Sequence, residues 1–358
     1  MTMRVGLVFG GRSVEHQVSV RSARTVAAAL AEKGHEVVPL AVGPDGDWLA
    51  REAGARALAG EIDSLPDGGE GNQASLARFV EAEIDVVFPV VHGTYGEDGT
   101  LQGLCEMADL PYAGAGVTAS ALAMDKRLTK KVLAMAGIPV VDYETVSRLD
   151  FARDPDGVLE RVARLGAPPV FVKPSVGGSS VGVVKVGSPD DLRTSIEQAL
   201  ALDDHALVEL AVSGRELECA VLGYPEVEAS VVGEIRPGKE FYDYADKYLE
   251  DGAEILFPAE LEDEVAGRIR QAAIDAFAAV GGTGMARVDF LLAGDRFWIN
   301  EINTLPGFTS ISMYPKLWEA SGVPLPELVE RLVEAAVARH RDRRRLDGRI
   351  RDWLASLG

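Results

Sequence analysis

Short β-rich runs alternate with helical patterns over about the first 110 residues, and this alternation narrows the fold to one class. Residues 4–9 and 36–42 are typical strands. Between them, apolar side chains recur at helical spacing up to Gly34, which stands where a helix C-terminal cap belongs. Residues 84–91 are continuously apolar and predict a buried strand that delivers His92 to its carboxyl end. The pattern favours parallel strands joined by crossover helices, as in an α/β domain.

The remainder of the chain has longer helices and paired strands, so the predicted class is α/β with α+β parts. Two β runs, 169–174 and 181–186, flank glycines and serines and predict a hairpin with a flexible tip. Further strands are predicted at 216–222, 286–292 and 296–302, and helices at 120–136, 263–280 and 325–339. The 358 residues suit two or three domains. We expect an N-terminal domain at 1–115, a central domain at 116–208, a C-terminal domain at 209–340 and a basic tail at 341–358.

Composition excludes several classes of protein. The chain has 36 Lys+Arg against 56 Asp+Glu, a net charge of −20, so nothing global attracts it to nucleic acid or to an anionic membrane. A hydrophobic content of 47% is typical of a folded globular protein. Two cysteines cannot build a disulfide framework, and no run approaches the length of a membrane span. We expect a cytoplasmic protein with neither nucleic acid nor membrane as a partner.

The last residues, RHRDRRRLDGRIRDWLASLG, form a local basic patch on this acidic chain. The favoured interpretation is a solvated helix end, with Trp353, Leu354 and Leu357 folding back onto the protein. A contact with RNA or with a membrane is the alternative interpretation.

A glycine- and serine-rich segment is the strongest nucleotide signal. No GxxxxGK[ST] phosphate loop occurs, which argues against the commonest nucleotide fold. In the segment 173–182, KPSVGGSSVG, small residues let backbone N–H groups approach phosphate oxygens, and Lys173 at the strand end supplies a charge. Taken alone, such a hairpin is a linker more often than a phosphate cover.

Oxygen-bearing side chains on two predicted neighbouring strands change that balance. Asp289 lies on one strand, and Glu301 and Asn303 lie at the end of the next. Because strand side chains alternate with period two, Glu301 and Asn303 point to the same face. Hard oxygen ligands clustered in this way suit Mg²⁺ that bridges phosphates.

Seven segments, in order along the chain, carry a family resemblance. They are GGRSVEHQVS (10–19), HGTYGEDGTLQG (92–103), MDK (124–126), VFVKPSVGGSSVG (170–182), FYDYADKYL (241–249), ARVDF (286–290) and NEINTLPGFTSISMYP (300–315). The chain resembles the D-alanine:D-alanine ligases of the ATP-grasp fold up to about residue 338. The resemblance implies three domains with ATP between the central and C-terminal ones. It also implies that the protein condenses two D-alanines at the expense of ATP. The metals implied are two Mg²⁺ or Mn²⁺ ions, and the assembly implied is a homodimer. A requirement for a monovalent cation is left undecided.

The resemblance also assigns roles to residues. The residues implied for ATP are Lys126, Lys173, Gly178, Ser179, Glu209, Leu210, Glu216 and Lys247, and those implied for metal are Asp289, Glu301 and Asn303. Glu15 would receive the first ammonium group, with His92 and Glu97 in positioning roles. Arg287 and the Gly307 N–H would form an oxyanion hole. Ser312, Met313 and Lys247 would hold the second carboxylate, and Ser179 and Tyr248 would join Glu15 in a network that orders a lid at 240–252.

Other functions remain open at this point. The second substrate could be D-serine or D-lactate, although the retained Asp246-Lys247-Tyr248 run favours an amine nucleophile. The chain could instead be an ATP-binding regulator that has lost catalysis. The intact Arg287, Asp289, Glu301 and Asn303 argue against this alternative. A nucleic-acid binder acting through the arginine tail is the third reading.

Overall fold

The computed structural model describes residues 2–236 and 254–357, and its N-terminal part is a three-stranded parallel sheet with the strand order β2-β1-β3. The strands are β1 (Arg4–Gly10), β2 (Glu36–Val42) and β3 (Val86–Pro89), and the helices are α1 (His16–Glu32), α2 (Arg51–Leu58), α3 (Asn72–Ser75), α4 (Ala77–Val80) and α5 (Thr100–Met107). The predicted parallel α/β organisation is confirmed. The third strand is shorter than predicted, but His92 still lies beyond its carboxyl end.

A glycine turn joins β1 to α1 and directs the chain over the carboxyl edge of this sheet. Gly10 has a φ of 93°, and a Cβ at this position would lie 2.2 Å from the carbonyl oxygen of Val42. Only glycine accommodates both the left-handed backbone and this close approach. The turn therefore places the start of α1 at the edge where ligands of α/β sheets bind.

The central part is a four-stranded antiparallel sheet with the order β4-β7-β5-β6. Its strands are β4 (Tyr143–Ser147), β5 (Val170–Pro174), β6 (Val184–Val186) and β7 (His205–Leu210), and its helices are α6 (Val117–Met124), α7 (Lys126–Met135), α8 (Arg148–Arg153), α9 (Pro155–Ala163) and α10 (Leu192–Leu202). The pairing of β5 with β6 confirms the predicted hairpin around the glycine loop.

The single helix predicted at 120–136 is wrong, because the chain breaks at Asp125. This residue has extended backbone, and its side chain accepts hydrogen bonds from the N–H groups of Arg127 and Leu128, which caps α7. The same carboxylate accepts a 2.5 Å hydrogen bond from the hydroxyl of Ser175. The break therefore ties the start of α7 to the glycine loop.

The C-terminal part is a five-stranded antiparallel sheet with the order β10-β9-β8-β11-β12. Its strands are β8 (Arg215–Gly223), β9 (Glu228–Arg236), β10 (Glu254–Leu256), β11 (Gly284–Ala293) and β12 (Arg296–Asn303), and its helices are α11 (Asp263–Ala279), α12 (Met313–Ala320) and α13 (Leu325–Ala355). The strands predicted from 216, 286 and 296 and the helix from 263 are confirmed.

One hydrophobic core joins the parallel sheet to the C-terminal part. It includes Phe9 and Phe88 of the first sheet, Tyr314 and Trp318 of α12, and apolar residues of α13. Burial of such large side chains contributes about 1.5–3 kcal/mol each, so the two parts are held firmly together. Among the described residues, no helix combines the length and apolar character needed to cross a bilayer.

The basic tail does not fold back. Helix α13 runs unbroken from Leu325 to Ala355, and Trp353, Leu354 and Leu357 are exposed. Helical propensity explains the difference, since arginine and leucine favour a continuous helix and no proline interrupts the segment.

Candidate active site

Glu15 lies at the N-terminal end of α1 and meets the glycine loop of the central part. Its Oε1 accepts a 2.6 Å hydrogen bond from the hydroxyl of Ser179, 164 residues away in sequence. Gly93 and Gly178 face the other carboxylate oxygen, because a Cβ at these positions would lie 3.4 and 3.6 Å from Oε2. Only backbone from these two positions therefore approaches this oxygen, with no side chain between.

The glycine loop holds an unusual backbone to make this contact. Ser179 and Ser180 have φ values of 51° and 58°, a left-handed conformation that is uncommon for residues other than glycine. Such strain concentrates at functional sites, where surrounding contacts hold it in place. Here it directs the Ser179 hydroxyl toward Glu15.

Two lysines flank the loop from beneath. Lys126 Nζ donates a 2.6 Å hydrogen bond to the carbonyl of Gly177 and lies 3.3 Å from Glu301 Oε2. Lys173, at the end of β5, is buried, and its Nζ lies 2.9 Å from Glu209 Oε2. Both predicted phosphate lysines therefore lie beside the loop, and one of them also reaches the predicted metal ligands.

Glu209 lies between two buried lysines, one of which the sequence analysis missed. Lys130 Nζ is 3.2 Å from Glu209 Oε1, opposite Lys173. Burial would raise the pKa of Glu209, but the charges of Lys173 and Lys130 outweigh it and lower the pKa. Burial lowers the pKa of Lys130 despite the charge of Glu209, and an anionic ligand placed here would favour the charged form of this lysine.

The predicted adenine and ribose residues lie nearby on β7 and β8. Leu210 follows Glu209 at the end of β7, and its N–H donates to the carbonyl of Asp142 at 3.1 Å. Glu216 lies on β8, opposite Leu291 of β11.

Three acids form a row across three neighbouring strands. Glu218 of β8 pairs in register with Asp289 of β11, which pairs with Glu301 of β12. The register shifts next to Asp289, so that Phe290 pairs with Ile299. Asn300 is therefore the additional residue of a β-bulge in β12 and has no paired position in β11. This bulge turns Glu301 away from the core face that holds Ile299, and Asn303 follows Glu301 on the same side as predicted.

Arg287 lies beside this row and binds two of its members. Its Nε and Nη2 each donate to the Asp289 carboxylate at 2.7 Å, and its Nε lies 3.1 Å from Glu218 Oε2. Burial would lower the pKa of Arg287, but the charges of Asp289 and Glu218 hold it well above its usual value.

The segment after β12 carries the other predicted substrate residues. Gly307 packs closely against Ser312, because a Cβ there would lie 2.7 Å from Ser312 Oγ. Ser312 accepts a 2.9 Å hydrogen bond from the N–H of Thr309 and precedes α12, which begins at Met313. The segment thus brings backbone N–H groups and a helix N-terminus to one place, an arrangement suited to anionic groups.

His92 and Ser22 hold this segment from the N-terminal part. His92 Nδ1 lies 3.1 Å from the carbonyl of Leu305, and its Nε2 lies 3.1 Å from the hydroxyl of Ser22. Ser22 in turn accepts a 3.2 Å hydrogen bond from the N–H of Phe308. Burial lowers the pKa of His92, but its hydrogen bond with Glu97 and the charge of Glu15 outweigh this and raise it. The backbone on both sides of Gly307 is therefore fixed by one buried network.

Three residues of this site were not predicted: Ser22, Lys130 and Glu218. Glu218 had a signal, since it follows Glu216 at a spacing of two on a predicted strand. Lys130 lies one helical turn after Lys126, and Ser22 lies two turns after Glu15. The predicted residues Lys247 and Tyr248 and the lid at 240–252 lie outside the described residues.

Replacing Ser22 with alanine is expected to lower turnover of the proposed ligase reaction roughly tenfold, because an unpaired buried donor costs about 1–3 kcal/mol and Gly307 loses its support. Steady-state rates of Ser22→Ala check this, with Ser120→Ala, also buried, as the control. Wild-type turnover with a normal melting temperature would contradict it.

Comparison with known proteins agrees with this geometry. A family model described as D-ala D-ala ligase N-terminus matches residues 4–115, and one described as D-ala D-ala ligase C-terminus matches residues 132–334. D-alanine--D-alanine ligases of Mycobacterium bovis and Mycolicibacterium gilvum are 47% and 48% identical to the chain. Each alignment covers 94% of this chain, and 96% and 98% of the two relatives respectively.

Solved structures give the same result. The D-alanine-D-alanine ligase from Coxiella burnetii superposes with a TM-score of 0.83 at 36% identity, covering 99% of both chains. The VanG D-Ala:D-Ser ligase from Enterococcus faecalis superposes with a TM-score of 0.80 at 32% identity. This superposition covers 94% of this chain and 100% of the VanG chain. The architecture is the ATP-grasp fold, and the chain belongs to the D-alanine–D-alanine ligase family.

Proposed function

We propose that this protein joins two D-alanines to D-alanyl-D-alanine at the expense of ATP, through a D-alanyl phosphate, as a step toward peptidoglycan precursors. The observation that carries the proposal is the hydrogen bond between Ser179 and Glu15. It supports the proposal because Glu15, which would receive the ammonium of an amino acid, contacts the glycine loop that would hold phosphates. The two halves of the reaction would then share one site.

The chemistry explains why both halves are needed. A carboxylate is a poor acylating agent, so an oxygen of the first D-alanine attacks the γ-phosphorus of ATP and ADP leaves. The amine of the second D-alanine then attacks the acyl carbon and forms a tetrahedral oxyanion. The oxyanion collapses with loss of phosphate, and the nitrogen gives up a proton. The protein must orient both substrates, stabilise the oxyanion and exclude water.

Glu15 would bind the ammonium of the first D-alanine. Glycines at 93 and 178 keep side chains away from its Oε2, which favours a compact cation. His92 would support this subsite from beneath, since it is buried and held by Leu305 and Ser22. Tyr248 would complete the network that Ser179 and Glu15 begin.

Charged residues around the glycine loop would bind ATP. Lys126 and Lys173 lie where the triphosphate would meet Gly178 and Ser179. The ammonium groups would neutralise phosphate charge, and the loop N–H groups would donate to phosphate oxygens. The adenosine would contact Glu209, Leu210 and Glu216, and Lys247 would close over the phosphates.

The acidic row suits the divalent ions that this ATP-dependent family uses. Within the described parts of the chain, no three aspartate, glutamate, histidine or cysteine side chains are close enough to hold a metal by themselves. Asp289, Glu301 and Asn303 supply hard oxygens, and Mg²⁺ usually binds one or two carboxylates together with substrate phosphates. We assign two Mg²⁺ or Mn²⁺ ions to these residues. When bound, they would offset repulsion between the carboxylate and the γ-phosphate.

Arg287 and the N–H of Gly307 would stabilise the oxyanion. Two nitrogens of Arg287 are fixed by Asp289, so the guanidinium is already oriented before substrate binds. Fixed donors of this kind stabilise developing charge without reorganisation. Ser312, the N–H of Met313 and Lys247 would hold the carboxylate of the second D-alanine.

D-Serine is the second candidate for the incoming amine. It is suggested by the superposition with the D-Ala:D-Ser ligase at 32% identity. The 47–48% identity with two D-alanine--D-alanine ligases favours D-alanine. A homodimer in the cytoplasm, and a monovalent cation at an unassigned position, complete the proposal.

Phosphate release from Mg-ATP is the direct test. Release is expected to depend on D-alanine, to be weaker with D-serine, and to be absent with L-alanine or D-lactate. Mass spectrometry should identify D-alanyl-D-alanine as the product. Folded protein that binds ATP but releases no phosphate with D-alanine would refute the proposal, and faster turnover of D-alanine with D-serine or D-lactate would refute the specificity.

A further inference from the structure

The end of α13 presents an amphipathic surface, which we call the terminal segment (residues 341–357). Every residue from 349 to 357 is exposed. Five large apolar side chains recur at spacings of four, three, one and three residues, which places the four within α13 on one face, with Leu357 just beyond the helix end. They are Leu346, Ile350, Trp353, Leu354 and Leu357, and each is at least 55% exposed.

The charge of this segment is opposite to that of the rest of the protein. Residues 341–358 contain six arginines and three aspartates, so they carry +3 while the remainder of the chain carries −23. The base of the segment is anchored to the protein, because Arg343 binds Glu106 and Arg344 lies 3.6 Å from Asp109. Beyond this anchor, the apolar helix extends outward with three arginines and two aspartates, a net charge of +1.

We infer that the terminal segment binds an anionic lipid surface. The apolar face matches the acyl boundary of a bilayer, with Trp353 suited to the interface, and the arginines match anionic headgroups. Binding to RNA would use the arginines but leave five apolar side chains in water. Pairing with the same segment of a second copy would cover the apolar face but bring together two segments of the same net positive charge. An anionic bilayer satisfies both features at once.

The geometry keeps the acidic body from opposing this contact. About ten residues separate Arg345 from the helix end at Ala355, a length of roughly 15 Å. This exceeds the screening length of about 8 Å at physiological ionic strength. Because an interfacial amphipathic helix lies in the plane of the bilayer, this length carries the outer turns of the segment sideways beyond the range of the acidic body's charge. The ligase reaction plays no part in this contact.

Sedimentation of the full chain with lipid vesicles tests the inference. Binding to vesicles of equal parts phosphatidylglycerol and phosphatidylcholine is expected to be roughly tenfold or more tighter than to phosphatidylcholine alone, and to weaken with salt. The double variant Trp353→Glu with Leu354→Glu should lose this binding. Met135→Glu, which changes another exposed apolar side chain, should retain it.

A second variant separates charge from helix formation. Arg349→Gln with Arg351→Gln keeps the apolar face and should lose most of the preference for anionic vesicles. Equal binding to neutral vesicles, or unchanged binding by either double variant, would overturn the inference. A lack of vesicle binding would also overturn the inference. In that case, binding of single-stranded RNA would point to the nucleic-acid alternative. Dimers that the Trp353 and Leu354 changes abolish would point to pairing of two copies.

Discussion

Replacing Arg287 with alanine is expected to lower D-alanyl-D-alanine synthesis about 10²–10³-fold, the usual cost of removing one oxyanion donor. Because the guanidinium would act mainly on the oxyanion, kcat and kcat/KM should fall together while the KM for ATP changes little. Steady-state kinetics with D-alanine and ATP provide the measurement. Retention of more than about a tenth of the activity would contradict the role given to Arg287.

The position of Arg287 requires a structural control. The side chain binds Asp289 and lies 3.1 Å from Glu218, so its loss leaves two largely buried carboxylates without their cation. Breaking a buried pair commonly costs about 3–5 kcal/mol of folding free energy. Glu218→Gln disturbs the same cluster but keeps the guanidinium. It should lower the melting temperature while leaving most of the activity, whereas equal inactivity of both variants would show that Arg287 acts only through the fold.

Local patterns were sufficient to predict much of this fold. Apolar runs, glycine turns and helical spacing depend on nearby residues, and they located the parallel sheet, the β5–β6 hairpin and the strands that carry Asp289 and Glu301. The prediction that Glu301 and Asn303 lie on the same side of their strand followed from the two-residue period. The roles of the site residues came from the family resemblance and stay predictions.

Long-range contacts account for what was missed. The break at Asp125 depends on Ser175, 50 residues away, and the hydrogen bond from Phe308 to Ser22 spans 286 residues. Neither partner can be identified from local periodicity. The bulge at Asn300 adds one residue to β12, and it reverses the face on which Glu301 would lie relative to Ile299. A single inserted residue of this kind leaves no mark in composition or hydropathy.

Replacing Glu301 with glutamine is expected to lower turnover about 10²-fold at ordinary Mg²⁺, because a metal ligand supplies several kcal/mol of charge stabilisation. The amide has nearly the same shape as the carboxylate but binds Mg²⁺ more weakly. A Mg²⁺ titration should therefore show saturation at higher concentration and partial recovery of the rate. Direct binding of Mn²⁺ with ATP, measured without turnover, should weaken in parallel.

The Mg²⁺ titration also separates the metal role from the contact between Glu301 Oε2 and Lys126 Nζ, which are 3.3 Å apart. If Glu301 only held Lys126 in place, added Mg²⁺ would not restore the rate, and Lys126→Met would reproduce the defect with the same Mg²⁺ dependence. If Glu301 binds metal, the Lys126 variant should raise the KM for ATP and leave the Mg²⁺ midpoint unchanged. Glu254→Gln, an exposed change on the same sheet, should alter neither quantity. Full activity of Glu301→Gln at ordinary Mg²⁺ would remove this residue from the metal site and leave Asp289 and Asn303 as its only side-chain candidates among the described residues.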